Sequence, residues 1–149
     1  MPAPAAPLPI PMPTLLNTYI VEDSPVIRDD LIATLEELVP VRVVGTAEDE
    51  ATVLRWLAES GGRHVDLMIV DIFLKSGSGL GVLRAAQALP RRFPLVVLSN
   101  YAAPDMRRTC LALGADQVFD KSTEIEALVA YCARLATDDR PGTAANRLV

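Results

Sequence analysis

From Leu16 onward, short β-branched apolar runs alternate with stretches in which apolar residues recur every three or four positions. The runs Tyr19-Ile20-Val21, Val41 to Val44, Leu67-Met68-Ile69-Val70, Leu95-Val96-Val97-Leu98 and Gln117-Val118-Phe119 predict strands. After the first, Ser24 is placed to cap a helix whose Pro25 sits in the first turn, where no hydrogen bond is lost; Ile27, Leu31, Leu35 and Leu38 form its expected buried stripe. Pro40 ends that helix. Gly45 leads from the second strand to a helix from about Glu48 to Ser60, expected to bury Leu54 and Leu57 and to stop at Gly61-Gly62. A third helix is predicted from about Leu80 to Leu89, and a fourth opens at Pro104, turns Met106, Cys110 and Leu113 to one side and closes at Gly114. The last helix carries Ile125, Leu128, Val129, Cys132 and Leu135 at helical spacing. The unbroken run Leu67–Val70 reads as a central strand covered on both faces, and the whole order as repeated βα units around a doubly wound parallel sheet.

The length of 149 residues suits one domain. Residues 1–15 form an expected flexible tail, since six of the twelve prolines fall by Pro13 and no basic residue or long apolar run marks a secretion signal. Residues 16–137 form the domain and 138–149 a polar tail too short for an output domain. With a formal charge of -5 and no concentration of Lys or Arg, direct nucleic-acid binding is not expected. Charges interrupt every apolar run well short of a bilayer's thickness, so no membrane association is expected. Cys110 and Cys132 fall among apolar residues and read as buried reduced thiols, which suits the cytoplasm. His64 reads as an exposed loop residue, Trp56 and Tyr131 as helix-surface or packing residues, and Arg107-Arg108 as a solvated helix face.

In open parallel sheets, ligands gather beyond the carboxyl ends of the strands. Here strand one runs into Glu22-Asp23, strand three into Asp71, strand four into Ser99 and strand five into Lys121. Carboxylates held about 5 Å apart repel by about 3 kcal/mol per pair at an effective dielectric near 20, so such a cluster needs a cation. All-oxygen ligation with few carboxylates favours Mg2+, which also takes phosphate oxygens. A carboxylate can accept a phosphoryl group as an aspartyl phosphate, with Lys121 and the Ser99 hydroxyl holding the remaining oxygens.

The segments Val21-Glu22-Asp23, Ile69-Val70-Asp71, Leu98-Ser99 and Phe119-Asp120-Lys121 resemble, in this order and spacing, the receiver domains of two-component response regulators, over about Asn17 to Ala136. The resemblance implies a flavodoxin-like (βα)5 sheet of strand order 2-1-3-4-5. It implies Asp71 as phosphoacceptor, Asp23, Asp71 and the Phe73 backbone carbonyl as Mg2+ ligands, and Glu22 acting largely through the metal's waters. It implies that Ser99 turns toward the phosphoryl group, that Lys121 pairs with it, and that Gly79 follows the phosphorylation loop. A sensor histidine kinase or phosphotransfer protein would be the donor, and a conformation read by another protein the product. The chain departs from the family in three places. Val118 stands where a Tyr or Phe is usual, Asn100 where a very small residue is usual, and Ser122 where a proline usually follows the lysine.

Phe73, Asn100 and Tyr101 are the expected residues along the approach to the phosphoryl group, and bulky Phe73 and Tyr101 predict slow self-dephosphorylation. Two other readings are a receiver belonging to a longer DNA-binding transcriptional regulator, and a small aspartyl-phosphate phosphatase. The phosphatase would want an acid two residues beyond the nucleophile, where Phe73 stands, so the chain is expected to be a switch and not an enzyme.

Overall fold

The computed structural model describes residues 14–90, 93–100 and 102–137. The polar tail expected at 138–149, all but the last two residues of the expected N-terminal tail, and Tyr101 lie outside them. The strands are β1 (Leu16–Val21), β2 (Val41–Ala47), β3 (Leu67–Val70), β4 (Leu95–Ser99) and β5 (Gln117–Asp120). They alternate with α1 (Pro25–Leu38), α2 (Glu50–Ser60), α3 (Gly79–Gln87), α4 (Pro104–Ala112) and α5 (Ile125–Thr137). The strands pair in parallel in the order β2-β1-β3-β4-β5, so β1 and β3 are neighbours and the chain reverses its direction of winding between them.

Strand alternation sorts the interior into two layers. Met68, Val70, Val97 and Val118 face α2, α3 and α4, packing with Val53, Leu57, Val82, Leu83 and Cys110. Leu67, Ile69, Leu98 and Phe119 face α1 and α5, packing with Leu31, Leu35, Leu128 and Cys132. Val118 and Phe119 thus point to opposite faces of β5. Both cysteines are buried and free, and burial pushes the Cys132 thiol up to about 12.

Local chemistry starts and stops these elements as the residue pattern predicts. Ser24 Oγ accepts the Ile27 amide at 3.3 Å at the head of α1, with Pro25 at its first position. Gly61, at φ 62°, closes α2 in the left-handed conformation that glycine adopts without strain.

Three expectations about buried faces need correction. Ile27 and Leu38 of α1 are exposed, and the stripe is Leu31, Leu35 and Val39, with Ile32 beside it. Ile27 lies in the first turn, ahead of this contact face, and Val39 meets the core from the residue after the last turn. In α2 the buried pair is Val53 and Leu57, one turn apart, while Leu54 is half-buried beside that face. Gly45 lies inside β2 and does not lead out of it. Thr18 pairs with Val43 and Tyr19 with Gly45, so Val44 is an extra residue in a bulge. A Cβ on Gly45 would lie 2.8 Å from the Tyr19 ring, which is why glycine is needed there.

Candidate functional site

Each sheet ladder continues one step past its strand and so carries the acids to a common rim. The Glu22 amide donates to the Ala47 carbonyl and the Asp71 amide to the Val21 carbonyl, both at 2.9 Å. On the other side of β3, the Lys121 amide donates to the Ser99 carbonyl at 3.0 Å. The rim therefore brings Glu22, Asp23, Asp71, Ser99 and Lys121 together.

Glu22, Asp23 and Asp71 each offer an oxygen, and these oxygens all lie within 4.8 Å of one another. Glu22 and Asp71 are buried and Asp23 is half-buried. Their loops orient them by backbone donation. The Ser24 amide donates to Glu22 Oε2 at 3.2 Å, the Phe73 amide to Asp71 Oδ1 at 3.1 Å, and the Lys75 amide to Asp23 Oδ2 at 2.7 Å. The Lys121 ammonium donates to Asp71 Oδ2 at 2.8 Å and to Glu22 Oε1, and the Ser99 hydroxyl donates to Asp71 Oδ1 at 3.3 Å. Both oxygens of Asp71 are thus addressed from the β4–β5 side, one by a cation and one by a hydroxyl.

Burial raises the Glu22 carboxyl above its ordinary range, with hydrogen bonds from Lys121 and Ser24 opposing it and the charge of Asp71 adding to it. Burial pulls the Lys121 ammonium down, but its hydrogen bonds to Asp71 and Glu22 and their two charges together outweigh that, and its affinity for the proton is raised. Three carboxylates against one ammonium leave two uncompensated negative charges in a partly buried cluster of hard oxygen donors. A divalent, oxygen-preferring cation such as Mg2+ fits that donor set in charge and in ligand type.

The residues flanking the approach to Asp71 differ in what the structure shows of them. Phe73 is 58% exposed, and its backbone pairs with Ser78 in an isolated bridge that turns the loop back on itself. Asn100 is exposed, and Tyr101 is outside the described residues. Gly79 is required by close approach, since a Cβ there would sit 2.3 Å from the Asp71 carbonyl oxygen.

The roles of four residues in this region escaped the sequence reading. Glu50 accepts the Ser78 amide at 2.8 Å and so braces the loop after Asp71; the only trace in the sequence is the pair Gly77 and Gly81, where any Cβ would strike it. Asp120 accepts the Ser122 amide and hydroxyl, at 2.8 and 2.5 Å, and caps the loop that follows Lys121. All peptide bonds of the described residues, Lys121–Ser122 included, are trans. Glu124 accepts the Asp120 amide at 2.9 Å. Arg107, expected on a solvated face with Arg108, instead folds back on the protein, its guanidinium donating to the backbone of Ala102 and Val118 and to Glu124. Arg108 is exposed and pairs with Asp105.

The profile of the response regulator receiver domain family matches residues 18–133. A "Probable transcriptional regulatory protein" of Picosynechococcus sp. is 32% identical over 126 residues, covering 82% of this chain and 49% of the relative. The transcriptional regulatory protein MalR of Bacillus subtilis is 27% identical over 112 residues, covering 75% of this chain and 46% of MalR. The chain therefore spans about half the length of these curated relatives. Among solved structures, the signal receiver domain of NarL from Mycobacterium tuberculosis superposes with a TM-score of 0.69 at 24% identity, covering 82% of this chain and 98% of that domain.

Proposed function

The chain belongs to the response regulator receiver domain family, and from that premise we propose that Asp71 accepts a phosphoryl group from a phosphohistidine of a sensor histidine kinase or phosphotransfer protein. The observation that carries this reading is the double address of Asp71, with Lys121 on Oδ2 and Ser99 on Oδ1 beside the three-carboxylate cluster. An Asp71 oxygen attacks the phosphorus, a new O–P bond forms, and the bond to the donor nitrogen breaks with its electron pair leaving on the imidazole. Lys121 then exchanges its contact with the carboxylate for one with a phosphoryl oxygen, and Ser99 donates to another. Asp23, Asp71 and the Phe73 carbonyl would hold Mg2+, with Glu22 acting through its waters. A bound Mg2+ supplies charge neutralisation on the phosphoryl oxygens.

The experiment is incubation with acetyl phosphate and Mg2+, read by intact mass. One phosphoryl group is expected on the native chain and none on Asp71→Asn or after chelation. Equal uptake by Asp71→Asn sinks the assignment. The output is a conformation read by a protein partner in the cytoplasm, a setting that suits the two free buried thiols. A second reading is favoured by the relatives, which are transcriptional regulatory proteins of which the match spans about half. In that reading this receiver governs a DNA-binding region elsewhere in a longer polypeptide. Sequence-specific DNA binding by the full natural chain at physiological salt would establish it over the first.

A further inference from the structure

The two groups assigned to the phosphoryl oxygens stand at the ends of different strands, so something must fix the loop after Ser99 relative to the loop after Lys121. The sheet does so only as far as the Lys121 amide on the Ser99 carbonyl. Beyond that point a closed circuit of hydrogen bonds takes over. The Ala102 amide donates to Asp120 Oδ2 at 3.2 Å, and the Asp120 amide donates to Glu124 Oε1 at 2.9 Å. The same Glu124 oxygen takes an Arg107 Nη2 donor, and Arg107 Nε returns to the Ala102 carbonyl at 2.8 Å. A fifth bond, from Arg107 Nη1 to the Val118 carbonyl at 2.7 Å, ties the circuit to β5. Ala102 is therefore held by its N–H and its C=O at once, three residues after Ser99, and Asp120 is held by amide and carboxylate immediately before Lys121.

We propose that Arg107, through Glu124 and Asp120, is the positioning residue that holds Ser99 and Lys121 at their working separation, and that this circuit is what phosphorylation of Asp71 must strain. This rests on the phosphoacceptor reading. The guanidinium is suited to the task because its planar fork places several donors in fixed directions, which a lysine cannot reproduce. Arg107 and Glu124 are about one-third exposed, so the circuit can open without uncovering the core. The Arg107 guanidinium, with the Asp120 amide beside it, keeps the Glu124 carboxyl below its ordinary range, so both charges persist at neutral pH. Val118 offers no side-chain hydrogen bond of its own. Its backbone carbonyl, held by Arg107, gives β5 a polar link to α4.

The test compares native protein with Arg107→Ala, Arg107→Lys and Glu124→Gln. Amide exchange at Ala102, measured by NMR on unphosphorylated protein, is expected to quicken by about tenfold in Arg107→Ala, as fits loss of the bonds holding one peptide unit. Phosphoryl uptake from acetyl phosphate should slow by about threefold or more in the same variant, with partial recovery in Arg107→Lys. Exchange at core amides of β3 should stay native, which separates positioning from general destabilisation. Ala102 exchange within about twofold of native in Arg107→Ala, or faster exchange with unchanged uptake, would overturn the proposal. If the native chain takes up no phosphoryl group, the phosphoacceptor reading has failed and the positioning role falls with it. Native uptake with an unresponsive Ala102 removes the circuit alone.

Discussion

The two sides of the site are built by different means. On the β1–β3 side, each carboxylate is oriented by a single backbone amide, and for Glu22 and Asp71 that amide lies only two residues ahead. On the β4–β5 side, the loops bearing Ser99 and Lys121 are fixed by side chains of Arg107, Asp120 and Glu124, drawn from α4, β5 and the turn before α5. The first construction is local and stiff, since a carboxylate bonded to its own following loop cannot shift unless that loop does. The second is a chain of exchangeable contacts near the surface. The contrast teaches that Glu22 and Asp71 are oriented by their own following loops, whereas the loops bearing Ser99 and Lys121 are tied to each other through side chains from distant elements.

The strongest way to break this comparison is to remove Lys121, the side chain that reaches across to both Glu22 and Asp71. Lys121→Ala should slow phosphoryl uptake by about a hundredfold, the scale of losing one charged donor aimed at the reacting oxygens. A loss smaller than about tenfold, measured by intact-mass time courses, would mean that the sides work independently. Next is the stiffness of the acid side. Gly79→Ala forces a Cβ against the Asp71 carbonyl oxygen 2.3 Å away, and should lower stability by about 1–3 kcal/mol in urea titrations. An unchanged midpoint would show that the loop after Asp71 yields easily.

A third substitution sharpens the contrast at the approach to Asp71. Phe73 cannot hydrogen-bond a water, so Phe73→Asn should shorten the aspartyl phosphate half-life by about fivefold. A half-life equal to native or longer would show that this exposed ring shields nothing. The smallest effect is expected at Glu22. Because burial raises its folded-state carboxyl above the unfolded value, the folded chain retains a proton that the unfolded chain has lost. That penalty is complete above the folded value and fades below the unfolded one. Metal-free Glu22→Gln should therefore melt slightly above native at neutral pH, with the gap closing as pH falls into the ordinary carboxylate range. Mg2+ titration should show the opposite sign, weaker binding by the variant. A variant that melts below native at neutral pH would mean that the Lys121 contact outweighs burial.

The same division explains how far the residues could be read in advance. An apolar run handing over to an acid, as at Val70-Asp71, is a local signal, and the five strands, five helices and rim positions follow from such signals. Gly45 looks like a strand-to-helix turn because nothing near it in sequence announces the Tyr19 ring that demands it. Val53 and Leu54 are adjacent apolar residues, and only the packing of α2 on the sheet decides that Val53 is the one fully buried. Arg107 beside Arg108 is indistinguishable from a solvated pair until the fold brings Val118 and Glu124 under it, 11 and 17 residues away. Contacts that span elements carry no periodicity, and these were the ones that stayed hidden.

Tyr19 and Trp56 stack with ring centroids 4.0 Å apart and 20° between their planes. Trp56 is the chain's single tryptophan, so all indole emission arises at the seam between β1 and α2. Tyr19 lies on β1, three residues before Glu22, about 10 Å along an extended backbone. The molecule thus carries its own optical gauge, reporting movement of the acid-bearing strand against α2 and blind to rearrangements confined to α4 and α5. A signal change on adding magnesium would show by light alone that the acid-bearing strand had moved, and a change on substituting Arg107 would show that loss of that side chain is felt across the sheet at β1.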